Sequence, residues 1–170
     1  IDITPDTWRP ASSTVLAAKS DWMAGEDSWM LLLTATGALR FRFTSDGFAT
    51  ARSADSTAAI PEDTGRCAVR VVFNASDPDH GNVRSYTFYT APTLDGPWTQ
   101  LGDVVTGPDG DHAIYSGSAD LEIGSAGGGT QGLPSTRLFH GRVHGFQLAD
   151  GDENVVADPG ISALTEGTTA

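Results

Sequence analysis

Residues 67–102 read CAVRVVFNASDPDHGNVRSYTFYTAPTLDGPWTQLG, and the alternation within them decides the fold class. Cys67, Val69, Val71 and Phe73 fall on one parity, while Ala68, Arg70 and Asn74 fall on the other. That is the period-2 signature of a strand with one buried face, with Val72 as the apolar intruder. After a polar loop at 75–82 the pattern resumes, with Tyr86 and Phe88 on one face and Ser85 and Thr87 on the other. Pro92, Asp95, Gly96 and Pro97 supply a second turn, and residues 98–105 begin a third strand. The stretch is therefore the meander of an antiparallel sheet.

The flanking chain repeats this grammar. Residues 29–35, WMLLLTA, are apolar on both parities and predict a central strand with both faces covered. Leu39, Phe41 and Phe43 alternate with Arg40 and Arg42, and 45–47, Ser-Asp-Gly, turn that strand back through 48–53. Residues 1–3 predict an edge strand. Residues 12–20 fit either a capped helix or a strand, and the strand is favoured because the surroundings are β. Residues 53–65, polar and containing Pro61, read as a crossing between elements rather than a paired strand. Further along, 119–123 alternate and 138–148 predict a long strand interrupted by Gly141 and Gly145. The five glycines of 124–134 mark a mobile loop, and Val155-Val156 begins a last short strand. Ten to twelve short strands separated by Gly, Pro and Asp turns, with no secure helix, specify an all-β sandwich of two antiparallel sheets.

The 170-residue chain is long enough for one domain with a proper core and no disulfide staples. The expected division is a single domain over 1–159 followed by a polar tail or linker at 160–170. Cys67, mid-strand among apolar neighbours, reads as a small buried hydrophobe. The net charge of −12, from seventeen aspartates and five glutamates against nine arginines and one lysine, argues against nucleic acid. A phosphate-binding surface needs clustered cations, and these arginines are spaced singly. No apolar run approaches the roughly 20 residues that span a bilayer, so no membrane insertion is expected. A start at Ile1 rather than Met suggests a piece of a longer or processed polypeptide.

The order of these features resembles one family. An opening strand with Trp8 is followed by WMLLLTATGALRFRFTSDG, FYTAPTLDGPWTQLG, ADLEIG, FHGRVHGFQLADG and VVADP. That succession over 1–159 is similar to the laminin-G-like branch of the concanavalin-A-like jelly rolls. More narrowly, it resembles the copies in virion proteins of phages infecting actinobacteria, minor tail proteins among them, and in some secreted actinobacterial proteins. The preference for Arg over Lys fits a GC-rich source. The resemblance implies a two-sheet jelly-roll sandwich and a non-catalytic structural module on the virion surface, on tail or capsid. The partners implied are other virion proteins or a second copy, with host cell-wall polysaccharide as ligand. A carbohydrate-binding or adhesion module of a secreted actinobacterial protein is the alternative, and a glycoside hydrolase stands third. Family members continue past the stretch matching 157–159 into a further strand with aromatics, whereas 162–170 is polar and non-periodic.

Catalytic chemistry is thinly represented. The glucanase relatives of this fold carry E-x-D-x-x-E on one strand face, and the nearest string here, Asp120-Leu-Glu122, lacks the third carboxylate. Asp120 and Glu122 read as the solvent face of a strand. For calcium, Asp77 and Asp79 in one loop and Asp109 and Asp111 in another are the candidate ligands. Neither loop has a full ladder ending in a bidentate Glu, and hairpin-turn chemistry explains both, so no resident cofactor is expected. His140 and His144, four apart on a strand, stand roughly 13 Å from one another and cannot share an ion unaided. The run Gly127-Gly128-Gly129 lacks the Lys and helix of a phosphate loop. Trp22 and Trp98, beside predicted loops, are the candidates for stacking on a sugar ring, while Trp8 and Trp29 belong to the core. The two-sided strand at 29–33 is the candidate apolar patch for a partner.

Overall fold

The structure, a computed structural model, describes residues 1–48, 51–107, 113–127 and 137–160. Two antiparallel sheets pack face to face. The first, sheet A, is built from β1 (Asp2–Pro5), β6 (Cys67–Asp77), β7 (Val83–Ala91), β8 (Thr99–Gln100), β9 (Val105–Thr106) and β11 (Gly141–Gly145). Its order is β11-β1-β6-β7-β8, with β9 also on β7. Sheet B contains β2 (Thr14–Asp21), β3 (Glu26–Leu33), β4 (Ala38–Gly47), β5 (Ala51–Ala59) and β10 (Leu121–Ile123), in the order β10-β2-β3-β4-β5. A small ribbon pairs β12 (Leu148–Ala149) with β13 (Val155–Ala157).

The core lies between the sheets because each alternating strand turns its apolar parity inward. Ile3, Cys67, Val69, Tyr86 and Phe88 from sheet A meet Leu16, Leu31, Leu33, Leu39, Phe41 and Phe43 from sheet B in one buried cluster. At its centre the Phe43 and Phe73 rings stand 4.8 Å apart and Phe73 and Tyr86 5.2 Å apart, tilted as aromatic quadrupoles prefer. Trp8 is buried and donates from its indole nitrogen to the Thr64 carbonyl. Cys67 is buried, and burial pushes its thiol pKa up.

Several sequence expectations change. Residues 1–3 do not form an edge: β1 lies inside sheet A, between β11 and β6. Residues 53–59 are not a crossing, because β5 pairs with β4 throughout and forms the outer edge of sheet B. Only Ala54 and Ser56 are buried from that strand, so its small polar residues suit an edge that has little to bury. The third strand of the meander is split into β8 and β9, each two residues long, which reach β7 at different points. The predicted strand at 138–148 is likewise broken between β11 and β12. Its residue Gly141 has φ 142, and a Cβ there would meet the Thr4 carbonyl oxygen at 2.4 Å, the close backbone crossing its glycines suggested. The reading of 12–20 as strand is met by β2.

The strand at 29–33 is indeed covered on both faces. Met30 and Leu32 join Val15, Ala18 and Ala126 in a second buried cluster on the side of sheet B away from the main core. It therefore presents no open apolar patch to a partner. The connection at 113–120 is held against sheet B by polar groups. The chain's one lysine, Lys19, donates at 2.6 Å to the carbonyls of Gly117 and Ala119, Ser118 N donates to Glu26, and Gly117 N to Ser28 Oγ.

Candidate functional site

The same register that turns Val69, Val71 and Phe88 toward the core pushes their neighbours to the opposite, outer face of sheet A. Arg70 on β6 pairs with Tyr89 on β7, and Tyr89 pairs with Gln100 on β8. Trp98, two residues before Gln100 and just past a cis Gly96–Pro97 bond, reaches the same face. The Arg70 guanidinium carbon lies 4.7 Å from the Tyr89 ring centroid and 4.9 Å from that of Trp98, so the cation sits against two aromatic rings at once. Its Nε is buried with no hydrogen-bond partner. Its Nη1 faces the carboxylate of Glu153, in the turn between β12 and β13, at 3.6 Å, beyond hydrogen-bond length.

Further across the face, on β1 and β11, Asp2 accepts both prongs of Arg66, with Nη2 at 2.7 Å and Nε at 3.0 Å. Thr4 Oγ1 and His144 Nε2 are hydrogen-bonded at 2.9 Å, and Arg142 pairs directly with Thr4. Burial and the nearby Arg66 hold the His144 pKa below its ordinary value, against the opposing pull of Asp2. A chain of net charge −12 thus gathers three arginines, Arg66 on Asp2, Arg70 near Glu153, and Arg142, on one sheet face, flanked by two aromatic rings.

The structure does not bring the two candidate tryptophans together. Trp22 lies in the turn between β2 and β3, on sheet B, and is 45% exposed. That turn touches the end of β4, where Gly25 O lies 2.3 Å from the place a Gly47 Cβ would occupy. Met23 and Phe48 are also exposed on these two turns, giving this end of sheet B an apolar tip. Gly102, which follows β8, packs instead on Thr57 and Ala58 toward the far end of β5. At about 3.3 Å per residue, that is most of a strand length, roughly 25 Å, away from the tip.

Asp77 is a capping residue. Its carboxylate accepts from Asp79 N and the His80 ring, each at 3.0 Å, and from Ser85 Oγ, closing a 3-10 turn at Pro78–His80. The Asp79 side chain is exposed, while Asp109 and Asp111 lie outside the described residues. Among the described residues no group of three or more His, Cys, Asp or Glu side chains is placed to hold a metal ion. His140 is exposed in a cleft of about 250 Å³ between Pro5, Pro10, Leu33 and Phe139, whereas His144 bonds to Thr4 and does not line that cleft. Asp120 is exposed, and Glu122 accepts from Ser125 Oγ. No helix among the described residues is long and apolar enough to cross a membrane.

The sequence marks Trp98 as an aromatic beside a turn, whereas no motif in it marks Arg70 or Tyr89. The signal was present in the alternation, since Arg70 sits on the outward parity of the clearest strand pair in the chain. What was lacking was the register that sets it beside Tyr89. These features define an all-β, antiparallel two-sheet sandwich with an aromatic and cationic outer face. In comparison with known proteins, the chain matches no family model, no curated protein and no solved structure.

Proposed function

We propose that this chain is a non-catalytic surface module of a phage virion, a jelly-roll sandwich of the concanavalin-A-like kind, that engages host-envelope glycan through the outer face of sheet A. The observation that carries the binding half is the Trp98–Arg70–Tyr89 array. It supplies aromatic surface, which suits the apolar faces of a pyranose ring, and a guanidinium edge, which suits its oxygens. Gln100, exposed in register with Tyr89, adds an amide donor and acceptor. The virion half rests on the resemblance in motif order across 1–159. The same face would equally serve an adhesion module of a secreted actinobacterial protein, the alternative reading.

The test is a binding screen of the purified chain against actinobacterial cell-wall polysaccharide fractions, with Trp98→Ala and Tyr89→Ala beside it. Saturable binding that both variants lose supports the reading. Binding that neither variant alters, or none to any fraction, removes sheet A as a glycan face. Co-purification with virion particles separates the phage reading from the secreted one.

A further inference from the structure

We infer that the ligand of this face carries a negative charge, a saccharide bearing carboxylate or phosphate oxyanions, and that Arg70 reads that charge. The inference rests on the glycan-binding reading and narrows it. A guanidinium has five N–H donors in a planar fork, and it is rarely left without acceptors when its stem is packed. In Arg70 the Nε is orphaned and the Nη1 has only a carboxylate beyond hydrogen-bond length. Tyr89 and Trp98 hold the cation in place through their ring faces, which provide no hydrogen-bond acceptor of ordinary strength. The result is a positioned, hydrogen-bond-deficient cation with its side chain 35% exposed.

Glu153 shows where an anion reaches it. Its side chain is 81% exposed and comes from the turn of the β12–β13 ribbon rather than from sheet A, so it approaches Arg70 as an outside carboxylate would. An incoming oxyanion at normal hydrogen-bond distance would displace it and take the Nη1 and Nη2 edge of the guanidinium in two-pronged geometry. The setting favours this exchange. Arg142, and Arg66 in its pair with Asp2, share the outer face with Arg70, whereas the chain as a whole is strongly acidic and would repel a polyanion elsewhere.

The experiment is calorimetric titration of the full chain with oligosaccharides of equal length: a neutral hexose polymer, a hexuronate polymer and a phosphodiester-linked sugar polymer. We expect at least one charged probe to bind about tenfold more tightly than the neutral one, about 1.4 kcal/mol. That advantage should shrink between about 50 and about 300 mM salt. The uronate and phosphate arms identify which oxyanion is used. Arg70→Met should erase the advantage, and Glu153→Gln should increase it several-fold without changing the neutral probe. Glu153 is exposed, so its variant keeps the test decisive even if Arg70→Met fails to fold. Equal binding of all probes, unmoved by Glu153→Gln, overturns the charge reading and leaves glycan binding intact. Binding of none of the probes, nor of any wall fraction, overturns both.

Discussion

The Arg42 guanidinium donates to the fully buried carboxylate of Asp27 at 2.6 Å, across the bulge that separates Asp27 from Trp29 in the pairing of β3 with β4. Ser20 Oγ donates to the other carboxylate oxygen at 2.8 Å, and Thr44 Oγ1 donates to the Asp27 carbonyl. Three strands of sheet B are thereby joined around one charge. Removing the cation strands an anion in the interior, which costs far more than the pair itself contributes. Arg42→Met should therefore destabilise the chain by about 3 kcal/mol, the lower end of the range because Arg42 is partly exposed. Urea unfolding of the variant measures it. Asp27→Asn, which keeps the acceptor from Ser20 and removes the buried charge, should cost less than Arg42→Met.

Asp77 predicts the acid side of the stability curve. Hydrogen bonds from Ser85, His80 and the Asp79 amide, Ser85 foremost, hold its pKa below the ordinary 3.8. Between the folded and unfolded values the unfolded chain binds more protons, so stability rises with pH across that window. The contribution is fully present above about pH 4 and disappears as pH falls through the folded value. Asp77→Asn should lower Tm at pH 6, and the gap from the parent should narrow as both are melted toward pH 2.5. A gap that stays constant over that range would show that the carboxylate's charge is immaterial.

Gly47 ends β4 with φ 82, and an alanine Cβ there would stand 2.3 Å from the Gly25 carbonyl oxygen and 2.7 Å from a Tyr115 ring carbon. Left-handed strain alone costs about 1–2 kcal/mol, and the backbone clash adds to it. Gly47→Ala should lose at least that much in thermal unfolding. Gly81→Ala, also at positive φ but with open space around the added methyl, should lose only the strain.

How far the sequence foretold this depends on what each strand buries. In β4, Leu39, Phe41 and Phe43 face the core and Arg40 and Arg42 face away, so burial wrote the period directly into the residues. In β5, an edge strand of Ala, Ser, Asp and Thr, backbone pairing with β4 does the work and little side-chain contrast remains to be read. The two-residue β8 and β9 are shorter than any periodicity can reveal. The candidate site shows the same limit. Trp98 is visible as an aromatic beside a turn, but its partnership with Arg70 and Tyr89 is fixed by two successive strand pairings, Arg70 with Tyr89 across 19 positions and Tyr89 with Gln100 across 11, a relation that no local pattern contains. Asp77 and Asp79 drew attention by spacing that equally describes a capped turn, and the capped turn is what the hydrogen bonds form.

The two tryptophans, finally, give opposite expectations because they stand on different sheets. Trp98 lies against Arg70 on the outer face of sheet A, and Trp22 lies on the apolar tip of sheet B beside the turn that carries Phe48. If the outer face of sheet A binds glycan, Trp98→Ala removes both stacking surface and one of the two rings that position the cation. A loss of about 1–2 kcal/mol, roughly 5- to 30-fold in Kd, is the expected size. Trp22→Ala should leave glycan affinity within about twofold, since it touches none of those groups, and its exposed position predicts a stability change within about 0.5 kcal/mol. Titrating both variants against one wall polysaccharide separates the sites. A larger loss from Trp22→Ala than from Trp98→Ala would move the binding surface from sheet A to the tip formed by Trp22, Met23 and Phe48.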